Sequence, residues 1–167
     1  MHSHDLSAQP APSAERVIRL TVNGQHIEQA VPVHLSLAEL LRGQLGLTGT
    51  KIACNQAACG ACTVLLDAQP VFACHTLAAQ AAGTEVMTIE GLSAGGTLHA
   101  LQQAFIDHDA LQCGFCTPGM VMALKAAMDA GVSADRVAIA QAISANICRC
   151  GAYEQILDAA VDVIARR

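Results

Sequence analysis

The sequence predicts an α+β fold in two parts, a small sheet carrying one short helix and then a four-helix bundle. Three observations carry this. β-Branched alternation and hairpin turn pairs are confined to the first half of the 167-residue chain. The second half has helical periodicity and no convincing strand. Between them GLSAGG, residues 91–96, places three glycines in six residues, the best linker in the chain. The expected organisation is an N-terminal arm over residues 1–15, a first domain over 16–91 and a helical domain over 92–167.

The arm, MHSHDLSAQPAPSAE, has no basic stretch followed by an apolar one and no arginine pair, so it reads as a disordered tail rather than an export signal, with His2 and His4 solvated. Residues 16–31 read as a β-hairpin: RVIRLTV alternates, Asn23-Gly24 is a type I′ turn pair, and HIEQAV returns. Ser36 is placed as an N-cap with Glu39 completing a capping box, opening the helix LAELLRGQL with Leu37, Leu40 and Leu41 on one face and Gly46 at its end. A Gly/Ala-rich loop follows over residues 46–62. TVLLD and PVFAC make a pair of strands ending at Cys74, TLAAQAAG a short helix, and EVMTI a further strand. Hairpin, helix and further strands together form a unit of the β-grasp type.

Beyond the linker, Thr97 is expected to cap LHALQQAFIDHDA. Thr117-Pro118 opens a second helix, with proline where no amide donor is needed. Ser133 is expected to cap a third, running to about residue 146. The last starts near Gly151 and ends in Arg166 and Arg167, which suit the negative end of a helix dipole.

Composition bounds the function. Hydrophobic residues make up 53% but aromatics only 2%, so the apolar content is mostly Ala, Val, Leu and Ile, suited to closely packed helices. Net charge is −5 with no Lys/Arg run, which leaves no electrostatic footprint for nucleic acid. No apolar run of about 18 residues is present, which argues against a membrane span. Few charges in so apolar a chain point to surface covered by partners. With no export signal the expected compartment is the cytoplasm, where thiols stay reduced and eight cysteines point to metal ligation before disulfides.

Those eight divide into two sets of four. Cys54, Cys59 and Cys62 stand as C-x4-C-x2-C in the Gly/Ala-rich loop, with Cys74 at the far end of the strand pair. This is plant-type ferredoxin spacing: one loop wraps three thiolates about a 2Fe–2S cluster, and small residues such as Gly60 and Ala61 let backbone amides approach its sulfurs. Structural zinc, which favours two C-x2-C pairs, is the alternative here. Cys113 and Cys116 form C-x2-C at a helix start, and Cys148 and Cys150 form C-x-C between two helices. On the residues alone this second set suits a 2Fe–2S cluster, a zinc ion or, for Cys113 and Cys116, a redox dithiol.

The combined motifs GTKIACNQAACGACTV, QCGFCTPGM and NICRCGAY resemble, in order and spacing, the small iron–sulfur subunit of the molybdenum hydroxylases, the xanthine oxidase family. The likeness runs over about residues 17–165. It implies that Cys54, Cys59, Cys62 and Cys74 hold an outer 2Fe–2S cluster in a ferredoxin-like domain. It likewise implies that Cys113, Cys116, Cys148 and Cys150 hold an inner one in the helical domain. Gln112 and Cys150 would contact the molybdopterin cofactor of a large partner subunit. The chain would make no bonds itself; it would relay electrons from the molybdenum centre to an acceptor, often FAD in a medium subunit. CRCGAY and AFIDHDALQCGFC look most like aldehyde-oxidising bacterial members, ahead of N-heteroaromatic hydroxylases of the xanthine or nicotinate type and of CO dehydrogenase. Many members carry Gly where this chain has Ala57; if that position takes positive φ, Ala costs about 1 kcal/mol.

Two rival readings come from other classes. A free-standing ferredoxin-like carrier or redox sensor would have no use for Gln112. A zinc-stapled interaction module would draw its further ligands from His75, His99 and His108.

Overall fold

The computed structural model describes residues 14–167; His2, His4 and nearly all of the expected disordered arm lie outside the described residues. Strands β1 (Glu15–Val22) and β2 (Gln25–Pro32) form the expected hairpin, with Val22 opposite Gln25. Asn23 and Gly24 take φ of 51° and 78°, the backbone a type I′ turn requires. Alternation puts Ile18, Leu20 and Val22 in the core.

Ser36 and Glu39 make the predicted capping box. Ser36 Oγ accepts from the Glu39 amide at 3.2 Å, and Glu39 Oε2 accepts from the Ser36 amide at 2.9 Å. The helix is shorter than its sequence pattern: α1 (Leu37–Glu39) widens at once into a π turn over Leu40–Gln44. Leu37, Leu40 and Leu41 are still fully buried. Strands β3 (Thr63–Leu66) and β4 (Gln69–Phe72) form the second hairpin. β5 (Glu85–Met87) runs parallel to β1 and antiparallel to β3, giving a five-stranded sheet in the order β2-β1-β5-β3-β4. β5 stops before the end of EVMTI because Asn23 takes the Thr88 amide, at 2.8 Å. TLAAQAAG holds only a 3-10 turn, Ala78–Ala81. The result is an α+β, ferredoxin-like sheet with α1 packed on it.

The expected linker is tethered. A 3-10 turn spans Ile89–Leu92, and Glu90 accepts from the Gly49 amide at 2.7 Å and the Thr88 hydroxyl at 2.6 Å.

Four helices follow: α2 (Ala100–Asp107), α3 (Thr117–Asp129), α4 (Arg136–Ala142) and α5 (Tyr153–Ala165). Two caps differ from expectation. His99, not Thr97, caps α2: its Nδ1 accepts from the Leu101 amide at 3.2 Å. Asp135, not Ser133, caps α4, accepting from the Ala138 amide at 2.9 Å. α4 also ends at Ala142 rather than near 146, because the next residues leave the helix to bond the cysteine loop of the first domain. At the end of α5, Arg166 pairs with Asp162 at 2.6 Å and Arg167 reaches the Met128 carbonyl.

Two apolar clusters hold the chain. One joins the sheet to α1; the other joins Leu101, Phe105, Met120, Leu124, Ile139 and Ile156 across all four helices and takes in Leu65 of β3. Buried Ala104, Ala126, Ala159 and Ala160 let these helices approach closely, which accounts for the low aromatic content. Among the described residues no helix is long and apolar enough to cross a membrane.

Two predictions follow from local geometry. The β3–β4 turn sets Asp67 and Ala68 at φ of 47° and 65°, a region where an L side chain is strained. Ala68→Gly should stabilise the fold by about 1 kcal/mol, read as a rise of about 3 °C in the thermal midpoint. Burial, and next Lys125, hold the His99 pKa below its ordinary value of 6.5, with Asp129 pulling the other way. The cap needs a neutral ring, so its contribution is complete above pH 6.5 and is lost as pH falls from there through the lower folded value. His99→Asn keeps a neutral acceptor, and a flatter urea midpoint between pH 7.5 and 5.5 than in the wild type would bear this out.

Candidate iron–sulfur sites

The loop between α1 and β3 is fastened at its start by Arg42, whose guanidinium donates to the carbonyls of Thr48 and Thr50 at 2.8 and 2.7 Å. Past it the chain twists through positive φ at Asn55 (53°) and Ala57 (58°). These reversals turn the amides of Gln56 and Ala58 onto Cys54 Sγ, at 3.5 and 3.4 Å. Ala57 therefore does occupy a position suited to Gly, at a cost of about 1 kcal/mol. The β3–β4 hairpin carries Cys74 back beside Cys62, and the Cys74 amide donates to Cys62 Sγ at 3.4 Å.

Within this quartet Cys54 neighbours Cys59 and Cys62 neighbours Cys74, while the Cys59 charge also reaches Cys62. Their surroundings drive the thiols apart. The amides of Gln56 and Ala58 lower the pKa of Cys54 to about 6. Burial raises that of Cys62 to about 12.

The second quartet is gathered from two helix junctions. Cys113 and Cys116 lie between α2 and α3, with Cys116 as the α3 N-cap; Cys148 and Cys150 lie between α4 and α5. Here Cys113 neighbours Cys150 and Cys116 neighbours Cys148. The Phe115 amide, then Cys150, lowers the Cys113 pKa. Burial, then Cys148, raises that of Cys116 to about 12. At Cys148 burial opposes ionisation, but the Ala152 amide, at 3.4 Å, together with Cys116 and the amides of Cys150 and Gly151 outweighs it and lowers the pKa. Two side chains hold the segment in place. The Tyr153 hydroxyl accepts from the Cys148 amide at 2.8 Å and donates to the Asn146 carbonyl at 3.4 Å. Gln112 Nε2 donates to the Cys150 carbonyl at 3.2 Å, joining the two ligand loops.

Each quartet is thus two facing pairs with amides aimed at sulfur. Structural zinc sites favour two C-x2-C pairs, a spacing the Cys54, Cys59, Cys62 and Cys74 set lacks. Two pairs suit a two-iron cluster, one pair per iron. The remaining zinc candidates are engaged or remote: His99 caps α2, His108 contacts Asp162 at 3.2 Å, and His75 is exposed.

Phe105 is buried, whereas Phe115 is 45% exposed beside the inner quartet, with Leu111 and Ile147 exposed nearby in sequence. Tyr153 anchors the segment that carries Cys148. Asn146 was not legible as a site residue. Its Nδ2 donates to the Gly60 carbonyl at 2.9 Å and to Thr63 Oγ1 at 3.2 Å, while the Ile147 amide donates to the Cys59 carbonyl at 2.9 Å. The signals for Asn146 in the sequence are its place at the head of the NICRCGAY motif and as a polar residue closing an apolar run just before CRC.

In the metal-free chain these environments predict a reactivity order. Cys54 should alkylate with iodoacetamide half-maximally near pH 6, while Cys62 and Cys116 stay protected through neutral pH. Peptide mass spectrometry of chains alkylated across a pH series reads this directly.

Comparison with known proteins agrees with both halves. A 2Fe-2S iron-sulfur cluster binding domain matches residues 20–90, and a 2Fe-2S binding domain matches residues 88–161. The gamma subunit of caffeine dehydrogenase from Pseudomonas sp. strain CBB1 is 46% identical over 149 residues, spanning 87% of this chain and 89% of that one. The iron-sulfur-binding subunit PaoA of Escherichia coli K12 aldehyde oxidoreductase is 42% identical over 171 residues, spanning 93% of this chain and 74% of that one. The crystal structure of quinoline 2-oxidoreductase from Pseudomonas putida 86 superposes with a TM-score of 0.85 at 42% identity, covering 91% of this chain and 97% of the matched one. With both cluster motifs present and similarity of this extent, the chain belongs to the small 2Fe–2S subunits of the molybdenum hydroxylase family and is part of an oxidoreductase.

Proposed function

We propose that this chain is the electron-transfer subunit of a molybdenum-dependent hydroxylase or dehydrogenase. Cys54, Cys59, Cys62 and Cys74 hold its outer cluster, and Cys113, Cys116, Cys148 and Cys150 its inner one. When bound, the two 2Fe–2S clusters supply a one-electron relay between a molybdopterin centre on a large subunit and FAD, on a medium subunit, or another acceptor. The observation that carries this is the division of each quartet into two facing thiol pairs with backbone amides on sulfur.

The protein's own part is electrostatic and positional. Amides on Cys54, Cys62 and Cys148 favour negative charge at those sulfurs, which tunes a cluster's potential. Burial of Cys62, Cys74 and Cys148 excludes water. Gln112 spends its Nε2 on the Cys150 carbonyl, which leaves Oε1 to accept from a donor on the pterin. Gln112, Cys113, Phe115, Ile147 and Arg149 are all exposed, which supports a large subunit docking over the inner cluster. The medium subunit falls to the outer-cluster side.

Two separate apolar clusters support domains over 16–91 and 92–167, the second a four-helix bundle. The cytoplasm is the proposed compartment. The substrate reading is an aldehyde. A second reading, an N-heteroaromatic compound, is favoured by the caffeine and quinoline enzymes among the relatives, at 46% and 42% identity against 42% for the aldehyde enzyme. The substrate pocket belongs to another chain, so neither choice leaves a residue here.

Dithionite-reduced protein should give about four irons per chain and two distinguishable spin-half EPR signals. About two irons and one signal would reject the inner site. Gln112→Ala should keep both signals yet cut turnover of the complex at least tenfold; unchanged turnover would reject the pterin contact.

A further inference from the structure

Asn146 is 5% exposed, a buried polar side chain where the chain has left α4 and runs toward Cys148. Its Nδ2 donates to the Gly60 carbonyl (2.9 Å) and to Thr63 Oγ1 (3.2 Å); the Thr63 hydroxyl donates to that same carbonyl (2.7 Å). One residue on, the Ile147 amide donates to the Cys59 carbonyl at 2.9 Å. Backbone approach on both sides depends on two glycines. A Cβ at Gly60 would lie 2.6 Å from the Ala145 carbonyl oxygen, and one at Gly119 would lie 2.3 Å from the Gly60 carbonyl oxygen. The CGAC turn of the outer loop is therefore held between the first turn of α3 and the segment leading to the inner C-x-C. Its partners stand within two residues of Cys59, Cys62 and Cys148.

We infer that Asn146 is a positioning residue that makes closure of the two ligand loops a single event, so that opening either loop opens the other. This rests on the two-cluster reading above. Opening the outer loop withdraws the carbonyls of Cys59 and Gly60. That strands the buried Asn146 amide without its Gly60 acceptor and the Ile147 amide without the Cys59 carbonyl, a penalty the closed inner loop escapes only by opening as well. Coupling of this kind is reciprocal: loss of the inner loop takes the Ile147 donor from the Cys59 carbonyl and the Asn146 donor from Gly60, which keeps only Thr63.

The test is cluster loss from the purified complex under anaerobic chelation. Aliquots are reduced and frozen over time, and the two EPR signals are followed separately. In the wild type both signals decay with one rate. In Asn146→Ala the two rates separate by about tenfold. A substitution that only loosens the fold would speed both signals while keeping them together, and that result overturns the inference. Independent decay in the wild type overturns it equally. Where Asn146→Ala fails to assemble, Thr63→Val removes one of the two acceptors and keeps the Gly60 bond. It should separate the rates in the same sense, and a common rate there also overturns the proposal. A wild type lacking the second signal would instead refute the two-cluster reading, and the inference with it.

Discussion

The carbonyl of Gly60 is the point on which both halves of this protein bear. It accepts from Asn146 and from Thr63, and the backbone of α3 rests on it at Gly119. This buried carbonyl takes three donors, the Thr63 amide and hydroxyl and the Asn146 side-chain amide, so its hydrogen bonds offset the cost of its desolvation. It also explains why α4 is short. Continuing the helix to residue 146 would gain an intrahelical bond or so, but would remove the Asn146 and Ile147 donors from the outer loop and leave the Cys59 carbonyl without its bond.

The thiols face opposing demands. A metal ligand must be deprotonated, yet a buried site disfavours charge. The chain answers unevenly within each quartet. Cys54 and Cys113 are lowered by amides from their own loops, whereas Cys62 and Cys116 are raised by burial. The backbone reversals at Asn55 and Ala57 are what aim amides at Cys54, so the strain there has an electrostatic return at the same sulfur. As the proposed ligands, the raised pair would ionise at neutral pH only with metal present, so metal uptake would release protons.

Elements with a local cause were legible in the sequence. The Asn23-Gly24 turn, the Ser36–Glu39 box and the two cysteine spacings each depend on neighbours within a few residues. What was missed depends on distant partners. LAELLRGQL has regular helical spacing, yet it widens after one turn as Arg42 reaches the carbonyls of Thr48 and Thr50. Thr97 and Ser133 are good capping types, but the chain enters α2 and α4 two residues later, at His99 and Asp135. Asn146 reads as an ordinary helix-end residue until the fold brings it to Gly60, 86 residues away in the chain.

Exposed side chains about the inner quartet complete the physical picture. Phe115 and Ile147, 45% and 52% exposed, flank the candidate ligands Cys116 and Cys148 in a chain that buries most of its other large apolar side chains. Their loops are already tied internally by Gln112, Tyr153 and Ile147 itself, so the backbone there needs no partner to hold its shape. Leaving apolar surface in water beside so well-braced a segment makes sense when a second protein covers it. The few charges of the sequence point the same way. In the proposed complex, a preformed, braced and apolar rim would require little reordering on docking, which would lower the entropic cost of placing the partner's cofactor against Cys150.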